Sequence, residues 1–123
     1  LQELLKICDI VTFHIHLNEE TFHILNKTNI SKLKKDVIII NTSRGEVIDQ
    51  KNVLKRIIEK KIKGLATDVL EDEFNINSKK EIINLVNDGH NIIVTPHIAG
   101  ASFDAMRECE EYICKTFIQS LEI

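Results

Sequence analysis

The sequence is short of cysteine and of long apolar runs, and each shortage excludes a class of protein. Its three cysteines, Cys8, Cys109 and Cys114, are too few and too unevenly spaced for a disulfide framework. The longest aliphatic run, Val37–Ile40, is far shorter than the ~20 residues of a membrane-spanning helix. The segment Leu1–Lys6 has neither the basic leader nor the cleavage site of a signal peptide. We therefore expect a cytoplasmic protein with free thiols and no membrane partner.

Basic residues and glycines are also scarce. The formal net charge is −3 and the isoelectric point is near 6.0, so no cationic surplus exists to neutralise nucleic-acid phosphates. Only four glycines are present, and their spacing allows no G-x-G-x-x-G loop, the backbone cradle for a dinucleotide pyrophosphate. We expect neither a nucleic-acid partner nor a phosphate-binding loop within residues 1–123.

What the sequence does contain is a regular alternation of predicted strands and helices. Apolar runs predict strands at Ile10–Ile15, Val37–Asn41, Leu65–Val69 and Asn91–Thr95, with Gly64 as the break before the third. Helical spacing predicts the end of a helix over Leu1–Cys8, short helices near Thr21–Asn26 and Asn29–Lys34, a helix capped by Asp49, and a helix around Ile82–Val86. A long helix is predicted from Ser102 to Leu121, and its apolar stripe indicates a core or domain contact. Because the strands are apolar on both faces, the pattern is typical of α/β proteins in which helices cover both faces of a parallel sheet.

Polar residues follow three of the predicted strands, where ligands bind in open parallel sheets. Arg44 follows the second strand and His97 follows the fourth, while Asp68 ends the third, with Glu73 five residues on. An arginine fork suits a substrate carboxylate, and a histidine exchanges protons near neutral pH. A neighbouring carboxylate orients an imidazole and favours its protonated form. Together these groups suit a 2-keto acid that is held by its carboxylate and protonated on its carbonyl oxygen while hydride reaches the carbon.

The same residues have ordinary structural interpretations, which the residues alone leave open. Arg44 also fits a solvated turn, and Asp68 also fits a turn cap. The acidic segment Glu71–Glu73 also fits a solvated loop, in which only Glu73 is singled out for a function.

The other histidines carry weaker expectations. His14 and His16 share one face of the first predicted strand, but no Cys, Asp or Glu is spaced to complete a metal site. We therefore expect no metal. His23 and His90 are predicted to be surface or turn residues.

Four motif-bearing segments follow one another along the chain. They are Cys8–Thr21, Asn41–Asp49, Ala66–Glu73 and Thr95–Ala101. In content, order and spacing they resemble the D-isomer-specific 2-hydroxyacid dehydrogenase family, which includes D-3-phosphoglycerate dehydrogenase. The resemblance implies a Rossmann-like fold in which residues 1–123 are the second half of an NAD-binding domain, without its glycine-rich loop and without the substrate domain. It also implies that Arg44 holds the substrate carboxylate, that His97 donates the proton in keto-acid reduction, and that Glu73 tunes His97.

The resemblance also implies a cofactor site. Asp68 matches an aspartate that contacts nicotinamide, and His16 and Leu17 would lie near the adenosine end. The other implied cofactor-lining residues are Thr42, Ser43, Arg44, His97, Ala99 and Gly100. Three positions depart from the family pattern, since His16 and Phe74 replace usual prolines and Ala99 replaces a common glycine. The ribose-reading residue is not in the chain, so the residues leave NAD and NADP open while the resemblance favours NAD.

The leading hypothesis is an NAD(H)-dependent enzyme that interconverts a D-2-hydroxy acid and its 2-keto acid, with 3-phosphoglycerate dehydrogenase as one candidate. The resemblance also favours a longer, homodimeric chain. One alternative is a non-catalytic NAD-sensing module like the co-repressor relatives of this fold. Another is an inactive fragment, which would bind dinucleotide poorly and expose a sheet edge. The presence of Arg44, Glu73 and His97 together favours the enzyme.

Overall fold

The computed structural model describes residues 1–121, and the last two residues of the predicted domain, 122–123, lie outside them. Strands β1–β4 are Ile10–Phe13, Val37–Asn41, Ile62–Thr67 and Ile92–Val94, and they form one parallel sheet in chain order. Helices α1–α5 are Gln2–Ile7, Lys27–Ile30, Gln50–Ile58, Ile76–Asn87 and Phe103–Leu121. Two 3-10 turns, Gly45–Val47 and Ala99–Ala101, follow β2 and β4. The predicted parallel α/β sheet is confirmed.

All four strands end at the same register position of the sheet. Phe13, Asn41, Thr67 and Val94 are register neighbours across the sheet, and each is the last residue of its strand. Because the strands run parallel, the segments that follow them leave from the same edge. Segments far apart in sequence therefore meet there, at the edge where ligands bind in open parallel sheets.

The core lies on one face of the sheet. Val11, Ile39, Leu65 and Ile92 are register neighbours, and all four are buried. Helix α3 packs against β3 and buries an apolar stripe formed by Val53, Leu54 and Ile57. Full burial of each such side chain contributes about 1.5–3 kcal/mol. Asp49 begins this helix as predicted, since its Oδ1 accepts a hydrogen bond from the backbone amide of Asn52 at 3.1 Å.

The opposite face and α5 are less covered. Ile10 is 56% exposed and Ile93 is 62% exposed, and no residue of α5 is buried. The apolar stripe of α5 therefore makes no core contact within residues 1–121, and its predicted domain contact stays a prediction. In the same range, no helix combines the length and the apolar character that crossing a bilayer requires.

The predictions for residues 14–26 are partly wrong. Strand β1 ends at Phe13, so His14 and His16 lie beyond the strand and not on a shared strand face. Residues 21–26 do not form a helix. Their backbone is held in turns by Asn18, and Leu25 then forms a parallel bridge with Ile48. This pairing with a distant segment prevails over the local helical pattern.

The prediction that Gly64 breaks the chain before β3 is also wrong. Gly64 lies inside β3, opposite Ile38. A Cβ at this position would lie within 3.0 Å of the Asn91 side chain and carbonyl. Asn91 also donates a hydrogen bond from Nδ2 to the carbonyl of Lys63 at 2.9 Å. Glycine serves here to allow a close approach, not to end a strand.

Candidate active site

The turn after β2 is organised by Asn41, which is fully buried. Its Nδ2 donates a hydrogen bond to the carbonyl of Arg44 at 2.8 Å, and its Oδ1 accepts from the backbone amide and the hydroxyl of Ser43 at 3.2 and 2.9 Å. Its backbone carbonyl accepts from the amide of Asp68 at 3.0 Å. One buried side chain therefore fixes the turn that carries Arg44, and an unpaired amide there would cost about 1–3 kcal/mol.

Immediately after Arg44, the chain lies against the backbone of the next loop. A Cβ at Gly45 would fall within 3.0 Å of the Leu70 carbonyl and of the Glu71 amide nitrogen. Backbone atoms cannot rotate away as a side chain can, so only glycine permits this approach. The loop that carries Arg44 and the loop that carries Glu73 are thereby held in direct contact.

Asp68 ties the end of β3 to the segment after β4. Its Oδ1 accepts hydrogen bonds from the Thr95 hydroxyl and from the backbone amide of His97, the latter at 3.1 Å. Among residues 1–121, no hydrogen bond uses Oδ2 of Asp68. The turn-capping interpretation is therefore confirmed for one oxygen, and the other is available to a ligand donor.

His97 and Glu73 form a close pair at the same edge. Nδ1 of His97 lies 2.9 Å from Oε1 and 2.9 Å from Oε2 of Glu73, and both side chains are about one-third exposed. A carboxylate only accepts hydrogen bonds, so Nδ1 carries a proton and Nε2 is the nitrogen available to a substrate. His97 has φ 51° and Asp72, next to Glu73, has φ 52°. Such left-handed backbone costs about 1–2 kcal/mol per residue and persists where the surrounding contacts enforce it.

Arg44, Glu73 and His97 line one cleft of about 380 Å³. Phe74 lies at the same cleft with 97% of its surface exposed. The Arg44 side chain is exposed, and its Nη1 donates to the carbonyl of Ser43 at 2.6 Å. A cation, an imidazole and a carboxylate therefore face one space, which suits an anionic substrate that accepts a proton.

A second cavity, of about 240 Å³, shares the Glu73–His97 pair as part of its lining. Asp68 and Thr95 also line it, and its apolar lining includes Ile82, Ile83 and Val94. The paired imidazole and carboxylate thus border two spaces, one that contains Arg44 and one that contains Asp68.

Comparison with known proteins identifies the family. The family model described as D-isomer specific 2-hydroxyacid dehydrogenase, NAD binding domain, matches residues 1–99. This match covers most of the chain and includes Arg44, Glu73 and His97. The chain belongs to this family.

The curated relatives that match the chain include a dehydrogenase and a reductase of small 2-hydroxy or 2-keto acids. The chain is 37% identical to D-lactate dehydrogenase kk1H of Curvularia clavata over 119 residues, which cover 90% of this chain and 34% of that protein. It is 36% identical to a glyoxylate reductase of Pyrococcus horikoshii over 118 residues, which cover 96% of this chain and 34% of that protein. The chain therefore spans about a third of the length of these relatives.

Solved structures of D-2-hydroxyacid dehydrogenases have the same fold. D-lactate dehydrogenase from Aquifex aeolicus, complexed with NAD and lactic acid, matches 97% of this chain and 40% of its own, with a TM-score of 0.78 and 32% identity. D-mandelate dehydrogenase of Rhodotorula graminis matches 89% of this chain and 30% of its own, with a TM-score of 0.76 and 27% identity. The predicted Rossmann-like architecture is confirmed.

The remaining residues predicted for the dehydrogenase cofactor site lie along the same sheet edge. Thr42 is exposed and Ser43 half-buried in the turn after β2, while Ala99 and Gly100 are exposed in the 3-10 turn after His97. His16 and Leu17 lie beyond β1, and they do not line the cleft that contains Arg44. Their contact with a cofactor stays a prediction. Residues 1–121 contain no group of three or more His, Cys, Asp or Glu placed to hold a metal ion.

The residues that hold the candidate site together are not evident from the sequence. The sequence predicts Asn41 as the end of a strand and the start of a motif, and Gly45 as part of the same motif, but it assigns neither residue a role in organising the site. The sequence also fits Glu71 in a solvated acidic loop and predicts His23 to be a surface or turn residue. His23 does lie in a turn, but its ring also pairs with Glu71, 48 residues away. No local pattern reveals such a contact.

Proposed function

We propose that the chain is part of the NAD-binding domain of an enzyme that interconverts a D-2-hydroxy acid and its 2-keto acid with NAD(H). The observation that carries the proposal is the His97–Glu73 pair at a cleft that Arg44 also lines. Family membership and likeness to a D-lactate dehydrogenase complexed with NAD support it. The chain spans about a third of these relatives, which supports a glycine-rich loop and a substrate domain outside residues 1–123.

In the reducing direction, Arg44 holds the substrate carboxylate through two parallel hydrogen bonds. This contact places the keto oxygen beside His97, which donates its Nε2 proton to that oxygen. Glu73 stabilises the imidazolium before the transfer and fixes the ring through Nδ1. NADH, held beside Asp68 and the residues after the strand ends, would supply the hydride for the carbonyl carbon. The substrate thus gains one hydride and one proton, and His97 recovers its proton from water.

The polar groups along the sheet edge fit the nicotinamide end of the cofactor. Oδ2 of Asp68 is free to accept a hydrogen bond from a carboxamide, because Thr95 and His97 use only Oδ1. Thr42, Ser43, Arg44, Ala99 and Gly100 would line the cofactor, and His16 and Leu17 would lie towards its adenosine. These residues follow adjacent strand ends, where dinucleotides bind in this type of sheet.

Substrate, assembly and location are finer parts of the proposal. The relatives reported above are named for lactate, glyoxylate and mandelate, so glyoxylate and pyruvate are the first substrates to test. 3-Phosphoglycerate is kept as the candidate that the sequence resemblance suggested. We further propose a cytoplasmic homodimer, for which the molecular mass in solution is the direct measurement.

The test is turnover by the full-length protein. NADH oxidation is measured with glyoxylate, pyruvate, hydroxypyruvate and phenylglyoxylate, and NAD reduction with 3-phosphoglycerate. NADPH serves as the alternative cofactor. We expect turnover of at least one 2-keto acid with a preference for NADH. Tight NADH binding without turnover of any of these acids would instead support the non-catalytic NAD-sensing alternative.

A further inference from the structure

Glu71, two residues before Glu73, has a carboxylate that is occupied on both oxygens. Oε1 lies 2.7 Å from Nε2 of His23, and Oε2 accepts a hydrogen bond from the backbone amide of Gln50 at 3.1 Å. In return, Oε1 of the Gln50 side chain accepts a hydrogen bond from the backbone amide of Glu71 at 3.0 Å. We call His23, Gln50 and Glu71 the Glu71 clamp.

Gln50, the first residue of α3, restricts the movement of the clamp. Gln50 is buried and begins α3, where unpaired backbone amides and the helix dipole favour a negative charge. Glu71 is bound there through its side chain and its backbone together. Because the Glu71 side chain makes these contacts and is only 28% exposed, the interpretation of Glu71 as part of a solvated loop is wrong.

His23 connects this clamp to the segment that follows Arg44. Its backbone amide donates to the carbonyl of Glu46 at 2.8 Å, while its ring reaches Glu71. The residue holds φ 47°, a left-handed conformation that histidine adopts more readily than most residues. Its ring also stacks on Phe22 at 4.1 Å between centroids. One residue therefore contacts the loops that carry Arg44 and Glu73.

The clamp leaves little freedom to Glu73. Only Asp72 separates Glu71 from Glu73, and Asp72 is itself in a left-handed conformation. A displacement of Glu71 therefore carries Glu73 with it, and the two contacts of 2.9 Å to His97 change.

We propose that the Glu71 clamp positions Glu73 against His97, and that His23 is a positioning residue for proton transfer that acts through Glu73. The inference deepens the proposed dehydrogenase function and rests on it. His23 touches neither Arg44 nor His97 through a hydrogen bond, so its effect on turnover passes through the loop.

The experiment is a double-mutant cycle in the full-length protein. His23→Leu should lower kcat by roughly tenfold and leave KM for NADH and the keto acid within about twofold, because a small misplacement of a catalytic group is costly while binding groups stay in place. His23→Gln, whose amide can still donate to Glu71, should recover most of this loss. His90→Leu is the matched control on the α4–β4 connection and should leave kcat unchanged.

Introducing His23→Leu into the Glu73→Gln variant distinguishes a positioning role of His23 from a general effect on stability. If His23 acts through Glu73, His23→Leu should cause no further loss of kcat in that background. An equal loss in both backgrounds would overturn the proposal. Should His23→Leu fail to fold, Glu71→Met removes both acceptors while keeping the side-chain length, and the same two outcomes apply to it.

A readout that needs no turnover keeps the two proposals distinguishable. The ¹⁵N chemical shifts of the His97 ring report the hydrogen bond between Nδ1 and Glu73. They should change in His23→Leu and not in His90→Leu. Unchanged His97 shifts in His23→Leu would overturn the clamp, whereas inactivity of the wild-type protein with every 2-keto acid would count against the dehydrogenase function alone.

Discussion

Replacing Gly45 with alanine tests how the loops that carry Arg44 and Glu73 are held together. Gly45 has no positive φ, so the cost is steric and not conformational. The added Cβ would meet the Leu70 carbonyl and the Glu71 amide within 3.0 Å, and the loops would have to separate by about 1 Å to restore ordinary contact. Overpacking costs about 1–3 kcal/mol, and the upper value applies because the obstacle is backbone.

The unfolded state offsets part of this cost. Alanine restricts the unfolded chain and so stabilises the fold by about 0.4–1 kcal/mol. The net expectation for Gly45→Ala is therefore a loss of about 2–3 kcal/mol. With a urea dependence of about 1–3 kcal/mol/M, the unfolding midpoint should fall by about 1 M or more.

Gly100→Ala is the matched control for stability. A Cβ there meets no atom within 4 Å, and Gly100 has no positive φ, so this variant should keep or raise the midpoint. Gly45→Ala should also lower kcat/KM by up to ~10²-fold, because Arg44 and Glu73 move apart. A Gly45→Ala midpoint equal to or above that of the wild type would refute the close loop contact.

Three further substitutions test other parts of the site. Ala99→Gly should stabilise the protein by up to ~1 kcal/mol in urea unfolding, because the backbone strain removed at a φ of 34° exceeds the added entropy of the unfolded chain. A clear loss of stability would show that Ala99 is not strained. Asp68→Ala removes the acceptor of Thr95 and His97, and should cost about 1 kcal/mol in urea unfolding and reduce kcat/KM for the keto acid; wild-type values of both would show that this turn does not depend on Asp68. Arg44→Lys should raise KM for the keto acid by roughly tenfold with a smaller change in kcat, because an ammonium cannot bind a carboxylate as a fork; an unchanged KM would remove Arg44 from substrate binding.

The sheet and the triad of Arg44, Glu73 and His97 were predictable because their signals are local. Apolar runs mark the strands, and parallel pairing brings the residues after each strand to one edge without further information. The shared register of the strand ends explains why the triad meets in space although its members are far apart in sequence.

The supporting contacts were not predictable because they depend on which segments become neighbours. The helix predicted at residues 21–26 is replaced by turns because Leu25 pairs with Ile48. The sequence predicts a break at Gly64 because it does not show that Asn91 approaches this residue. Ala99 departs from the family glycine, and only its positive φ shows that the departure carries backbone strain.

The role of His97 as proton donor is tested by the effect of His97→Asn on NADH-dependent keto-acid reduction by the full-length protein. Asparagine keeps a polar side chain that can still face Glu73, but it cannot donate an imidazolium proton. We expect kcat/KM to fall by ~10²–10⁴-fold while the Kd for NADH changes little. Reduction of the same keto acid at a rate close to wild type would contradict this role.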